Sequence, residues 1–137
     1  MIVYPPKAPK LISEAYLQKC IITAISRLAP NVFVAHVPNG GGRSMTEAVR
    51  LKAAGVKRGV PDLLVILSSG QVAFIEVKAG KGKLRPEQED FANMCVLRGT
   101  RWAMINNLDQ VKPLLEAWGE LPHPQTFNKT TLHSDAA

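Results

Sequence analysis

A chain of 137 residues is long enough for one domain with a buried core and too short for two ordinary ones. No run approaches the roughly 18 apolar residues of a membrane span, and the opening MIVYPPKAPK lacks the apolar stretch of a secretory signal, so a soluble, cytoplasmic protein is expected. The net charge of +6 is concentrated: from Arg43 to Arg85 nine Lys and Arg stand against three acids, an excess of six, while the rest of the chain balances. A localised basic field of that kind suits a polyanion such as nucleic acid better than an acidic partner.

Residues 1–10 read as a flexible Pro/Lys-rich arm, 11–119 as the domain, and 120–137 as a flexible polar tail. A first helix begins at Ser13 as N-cap, carries Leu17, Ile21, Ala24, Ile25 and Leu28 at helical spacing, and ends at Pro30-Asn31. Cys20 falls on its core-facing side, as Cys95 does on a later helix, and both are expected as free thiols. A short strand, Val32 to Val37, precedes the glycine run Asn39 to Gly42, and a second helix runs from Ser44 or Thr46 to Gly55.

Leu63 to Leu67 and Val72 to Val77 then form a hairpin, apolar on both faces and therefore expected to be central and covered on both sides. With Ser68-Ser69-Gly70 as a three-residue loop holding glycine in the left-handed position, residue 67 faces 71 and Asp62 faces Glu76; a two-residue loop would instead shift the pairing by one position. Lys78 shares the strand face of Glu76. A loop from Gly80 to Lys83 leads to a third helix, Pro86 to Gly99, with Phe91, Met94, Cys95 and Leu97 turned inward. Arg101 to Ile105 is a strand, and a last helix opened by Asn107 or Asp109 reaches Trp118, with Pro113 starting its main part or kinking it. The order α-β-α-β-β-α-β-α predicts an α/β fold, a mixed sheet flanked by helices.

Two carboxylates facing each other in apolar strands repel unless one keeps a proton or a cation sits between them. Magnesium suits such a pair: Asp62, Glu76 and the Val77 carbonyl are candidate ligands, and Mg²⁺ keeps further positions for a phosphate oxygen and a water. The Lys78 ammonium beside them is placed to orient the nucleophile and offset charge building on the phosphoryl oxygens. Arg43, after three glycines, is a candidate phosphate grip, set against the plainer reading of a glycine turn. Lys52, Lys57, Arg58, Lys81, Lys83 and Arg85 are candidates for tracking a nucleic-acid backbone. His36, His123 and His133 show no ligand spacing, and His36 reads as a strand residue only.

Pro61-Asp62 followed by Glu76-Val77-Lys78 resembles the PD-(D/E)xK nuclease signature. The wider series Gly41-Gly42-Arg43, Leu51-Lys52-Ala53-Ala54-Gly55-Val56, Gly59-Val60-Pro61-Asp62-Leu63, Ile75-Glu76-Val77-Lys78 and Gly82-Lys83-Leu84-Arg85-Pro86-Glu87-Gln88 is similar to the virus-type replication-repair nuclease (VRR-NUC) domain over roughly residues 10 to 118. The resemblance implies a restriction-endonuclease-like αβββαβ core with the second helix inserted between its first two strands. It also implies a Mg²⁺- or Mn²⁺-dependent hydrolase of DNA phosphodiesters, in which Gln88 supports the site and Glu14, on the first helix, is a candidate further metal ligand. For Glu14 the plain alternative is a first-turn glutamate favoured by the helix dipole; for Gln88 it is a surface residue.

The size of single-domain relatives that resemble Holliday junction resolvases implies a homodimer acting on branched DNA. A phage or mobile-element setting, with the host cytoplasm as location, follows by the same association. The alternative is a DNA-binding module without catalysis, using the basic 43–85 segment alone; the opposed acids argue against it.

Overall fold

A computed structural model of the chain describes residues 12–38 and 44–121. The terminal arm, most of the tail, the glycine run with Arg43, and His123 and His133 lie outside the described residues. The elements follow the expected order: α1 (Glu14–Leu28), β1 (Phe33–His36), α2 (Met45–Ala53), β2 (Leu63–Ile66), β3 (Val72–Val77), α3 (Pro86–Arg98), β4 (Arg101–Ile105), a single 3-10 turn (Leu108–Gln110) and α4 (Val111–Ala117). No helix among the described residues is long and apolar enough to cross a membrane.

The helices start where side chains satisfy their free N–H groups. Ser13 Oγ accepts from Tyr16 N–H at 3.2 Å and Ser44 Oγ from Glu47 N–H at 3.2 Å. Asn107 opens the 3-10 turn by accepting from Asp109 N–H at 2.9 Å, and Pro113 falls in the first turn of α4, where its missing N–H costs nothing.

The four strands lie in the order β1-β2-β3-β4, antiparallel across the first two contacts and parallel across β3 and β4. In the hairpin Leu63 pairs with Ile75 and Ile66 with Val72, the register expected from a three-residue loop. Leu67 N–H donates to Gln71 O at 2.8 Å, and Gly70 takes φ 89°, a left-handed conformation that disfavours any side chain.

On one face, Leu63, Val65, Ala73, Ile75, Val77 and Ile105 are buried under Leu17, Ile21 and Ile25 of α1 and Val111 and Leu115 of α4. Burying side chains of this size supplies about 1.5–3 kcal/mol each and makes this layer the core. The opposite face carries Leu64, Phe74 and Trp102, and α3 lies over its β3–β4 side, pinned by an edge-to-face contact of Phe91 on Phe74 with centroids 5.0 Å apart.

Five expectations need correction. The second face is covered over β3 and β4 but not over the hairpin turn, where Ile66 and Val72 remain exposed, because the single helix on that side crosses β4. Leu97 points outward and is 87% exposed: Phe91 and Cys95 set the inward stripe, and a residue two places beyond Cys95 falls about 200° round the helix. Leu28 is exposed in the last turn of α1, and Cys20 is only half-buried, beside the stripe of Leu17 and Ile21. Finally, Glu120 and Leu121 belong to the body. Glu120 accepts a hydrogen bond from Ser68 N–H at 3.1 Å, and Leu121 packs on the core. Both cysteines are free thiols.

Candidate active site

The end of the sheet where β1 and β3 finish and β2 begins is also where α1 and α3 start, so five segments deliver side chains to one place. Continuing the hairpin register by one residue sets Asp62 opposite Glu76, on the face that α3 covers. Because Leu67 and Gln71 form a hydrogen-bonded pair, the pairs two residues apart from it do so as well, and 61 opposite 77 would be the next. Pro61 interrupts it. The proline is fully buried and has no N–H to offer the Val77 carbonyl, while Val77 N–H turns to the side chain of Asp62, donating to Oδ2 at 2.8 Å. A carboxylate thus replaces the next ladder acceptor, and the Val77 carbonyl is left without a ladder donor from β2.

Glu76 is 3% exposed and Lys78 7%. Lys78 Nζ lies 3.6 Å from Glu76 Oε1, and Gln88 Nε2 donates to the same oxygen at 2.8 Å. Gln88 is held the right way round from its other end: its Oε1 accepts from Arg85 N–H at 2.8 Å, which caps α3 and leaves only the NH₂ group to face Glu76. The same helix brings Phe91 onto Phe74, so one turn of α3 (91 back to 88) matches one strand repeat of β3 (74 on to 76). Burial, and next the charge of Asp62, push the Glu76 carboxyl from its usual 4.5 up to about 7, while Lys78 pulls it down. The pair therefore carries more negative charge than Lys78 offsets once both acids ionise. Its donors are hard oxygens, which fits a magnesium-like cation.

Glu14 stands beside this group without joining it. Its Oε1 takes the Ala79 N–H at 3.5 Å, and among the described residues no cluster of three or more His, Cys, Asp or Glu side chains is arranged to hold a metal. Lys57 and Arg58 in the loop before Pro61, and Lys81, Lys83 and Arg85 in the loop after Lys78, are all exposed and lie on either side of the acidic pair in the chain. Arg58 reaches Glu87 of α3 at 4.0 Å. Lys52 is exposed on α2, a helix that buries none of its residues.

Two contributors were not recognised from sequence. His36 Nδ1 lies 2.9 Å from the main-chain oxygen of Asp62. Gly59, at φ 89°, packs so closely on α3 that a Cβ would come 2.3 Å from the Glu87 carbonyl oxygen. A glycine two residues before Pro61 is a visible signal for a close approach; the His36 contact depends on β1 pairing with β2, which no local pattern announces.

No curated protein matches the chain. Among solved structures, one described as a VRR_NUC domain is 29% identical over 75% of this chain and 94% of its own, with a TM-score of 0.54. A second, a VRR_NUC domain protein, is 21% identical over 82% of this chain and 93% of its own; its TM-score of 0.64 speaks to the fold. The VRR-NUC domain family itself matches residues 14–107, a span that takes in Glu14, the Asp62–Glu76 pair, Lys78 and Gln88. By that match, and by the mixed four-stranded sheet flanked by helices, the chain belongs to the VRR-NUC family, a nuclease-type family.

Proposed function

We propose that the protein is a Mg²⁺- or Mn²⁺-dependent endonuclease that hydrolyses DNA phosphodiester bonds, with branched DNA such as four-way junctions as its preferred substrate. The observation that carries the reading is the buried Glu76 set opposite the half-buried Asp62, with Lys78 and Gln88 both converging on Glu76 Oε1. A buried acid facing a second carboxylate in this way serves no packing purpose and costs stability when ionised.

Asp62, Glu76 and the Val77 carbonyl would hold the cation, which when bound supplies Lewis-acid stabilisation of phosphate charge and lowers the pKa of water. Gln88 keeps Glu76 in place from the helix end. Lys78, largely removed from bulk water, directs its ammonium at the space around Glu76, where it orients a water and opposes charge developing on the phosphoryl oxygens. Glu14 caps the Ala79 N–H and steadies the chain just after Lys78. The exposed Lys57, Arg58, Lys81, Lys83 and Arg85 contact phosphates on either side, supplying affinity without sequence preference. Lys52 is a further candidate phosphate contact, and Arg43, outside the described residues, keeps its reading as a candidate phosphate grip.

Pairing of two copies fits the size of the chain, since two sites are needed to cut both strands of a junction. Support comes from α2, whose Met45 is 84% exposed and whose Val49 is also uncovered. Cleavage of four-way junctions and of linear duplex in Mg²⁺, repeated in EDTA, tests the whole reading. Junction-selective, EDTA-sensitive cutting is expected. Tight binding of both with no cutting in Mg²⁺ would replace it with a DNA-binding module without catalysis.

A further inference from the structure

Asp62 lies one residue before β2 begins, outside the regular strand, yet a carboxylate that is to meet a cation must be held to within about 0.5 Å. Its surroundings show how. Pro61, fully buried, fixes the chain that enters it. Asp62 Oδ2 is tied to β3 through Val77 N–H at 2.8 Å. Its main-chain oxygen accepts two bonds at the end of β1: Val37 N–H, one residue past the strand, at 2.7 Å and His36 Nδ1 at 2.9 Å.

A carbonyl oxygen only accepts, so Nδ1 of His36 carries its proton in this arrangement, and in the neutral ring Nε2 carries the lone pair. The two donors fill both lone pairs of the Asp62 carbonyl and fix the plane of its peptide. Val37 N–H is the last rung between the end of β1 and the residue before β2, and the ring adds a second donor on the same oxygen. His36 makes this tie with a side chain of two rotatable bonds, and it is the one member of the clamp that can be changed while leaving the main chain intact.

We infer that His36 is a positioning residue for Asp62: it acts through the Asp62 main chain to hold the carboxylate at the angle from which it meets Glu76 and a divalent cation. The inference rests on the proposed role of Asp62 as a metal carboxylate, and the experiment separates the two. His36→Ala removes the donor, and His36→Asn restores one at the position of Nδ1. Titration of the nucleic-acid-free protein with Mn²⁺ in a calorimeter is expected to show affinity falling about tenfold in His36→Ala and returning to within about threefold of the parent in His36→Asn. Melting temperature should change little in either, because the ring is exposed.

Long-range nitrogen–proton spectra of the metal-free parent should show the proton on Nδ1. Amide exchange of Val77 should quicken in His36→Ala and recover in His36→Asn, whether or not metal binds. Parent-like Mn²⁺ affinity and Val77 exchange in His36→Ala, failure of Asn to restore Val77 protection, or a ring protonated on Nε2 alone would overturn the role of His36. A parent that binds no Mn²⁺ while the exchange pattern holds would overturn the metal-carboxylate reading and leave the positioning of Asp62 standing.

Discussion

Glu76 shows most clearly how a single side chain can be set against the stability of its own fold. Its carboxyl ionises near 4.5 when unfolded and near 7 in the folded protein, so between those values the folded chain binds the extra proton. The sign follows: this group contributes no penalty below about pH 4.5, and its cost grows as pH rises through 7. Metal-free protein is therefore expected to lose about 1–3 kcal/mol of unfolding free energy from this group between pH 5 and 8.5. Glu76→Gln should flatten that part of the profile, and urea unfolding at the two pH values reads it. Gln88 acts at the same scale. Replacing it with Ala removes a donor to Glu76 and the cap on Arg85 N–H together, and cleavage should fall about 10–100-fold, with parent-like DNA affinity. Measured by single-turnover cutting and by a binding assay side by side, a loss confined to binding would contradict the assignment.

The elements matter because the site is an assembly of their ends. The loop that carries Pro61 and Asp62 is seated on the first turn of α3 through Gly59, and a methyl group there collides with the Glu87 main chain in a conformation that already disfavours side chains. Gly59→Ala should destabilise by about 2 kcal/mol or more, through strain and a shifted loop, whereas Leu97→Ala, on the outer face of α3, should fall within about 0.5 kcal/mol of the parent. Thermal unfolding of the two variants checks the contrast. Much of this scale was legible beforehand. The turn chemistry of Ser68-Ser69-Gly70 determined the register, and the register put Asp62 across from Glu76. Ser13, Ser44, Pro86 and Gly99 marked helix ends because capping is local chemistry. Leu97 was misread because an apolar side chain near a helix end carries no statement of which neighbour lies beside it. His36 was passed over because its partner is 26 positions away on another strand, and Glu14 could not be placed on Ala79 by any pattern within its own helix.

At the scale of the whole molecule, exposed lysines and arginines stand in the loop before Pro61 and in the loop after Lys78, on either side of the acidic pair in the chain. Such a layout attracts a polyanion to the rim and leaves the centre in need of a cation. Lys81→Ala with Lys83→Ala should weaken DNA binding about equally for every sequence and lower the slope of log affinity against log salt by about two, as read by fluorescence anisotropy across a salt series. The central claim is that the Asp62–Glu76 pair is a metal-dependent hydrolytic centre. Its most direct test is cleavage of a labelled four-way junction by the parent, Asp62→Asn and Glu76→Gln proteins in Mg²⁺, with folding and junction affinity confirmed for each. The account predicts cutting by the parent alone, abolished by EDTA and restored by added Mg²⁺ or Mn²⁺; cutting that survives in folded Glu76→Gln, or that persists in EDTA, would contradict it.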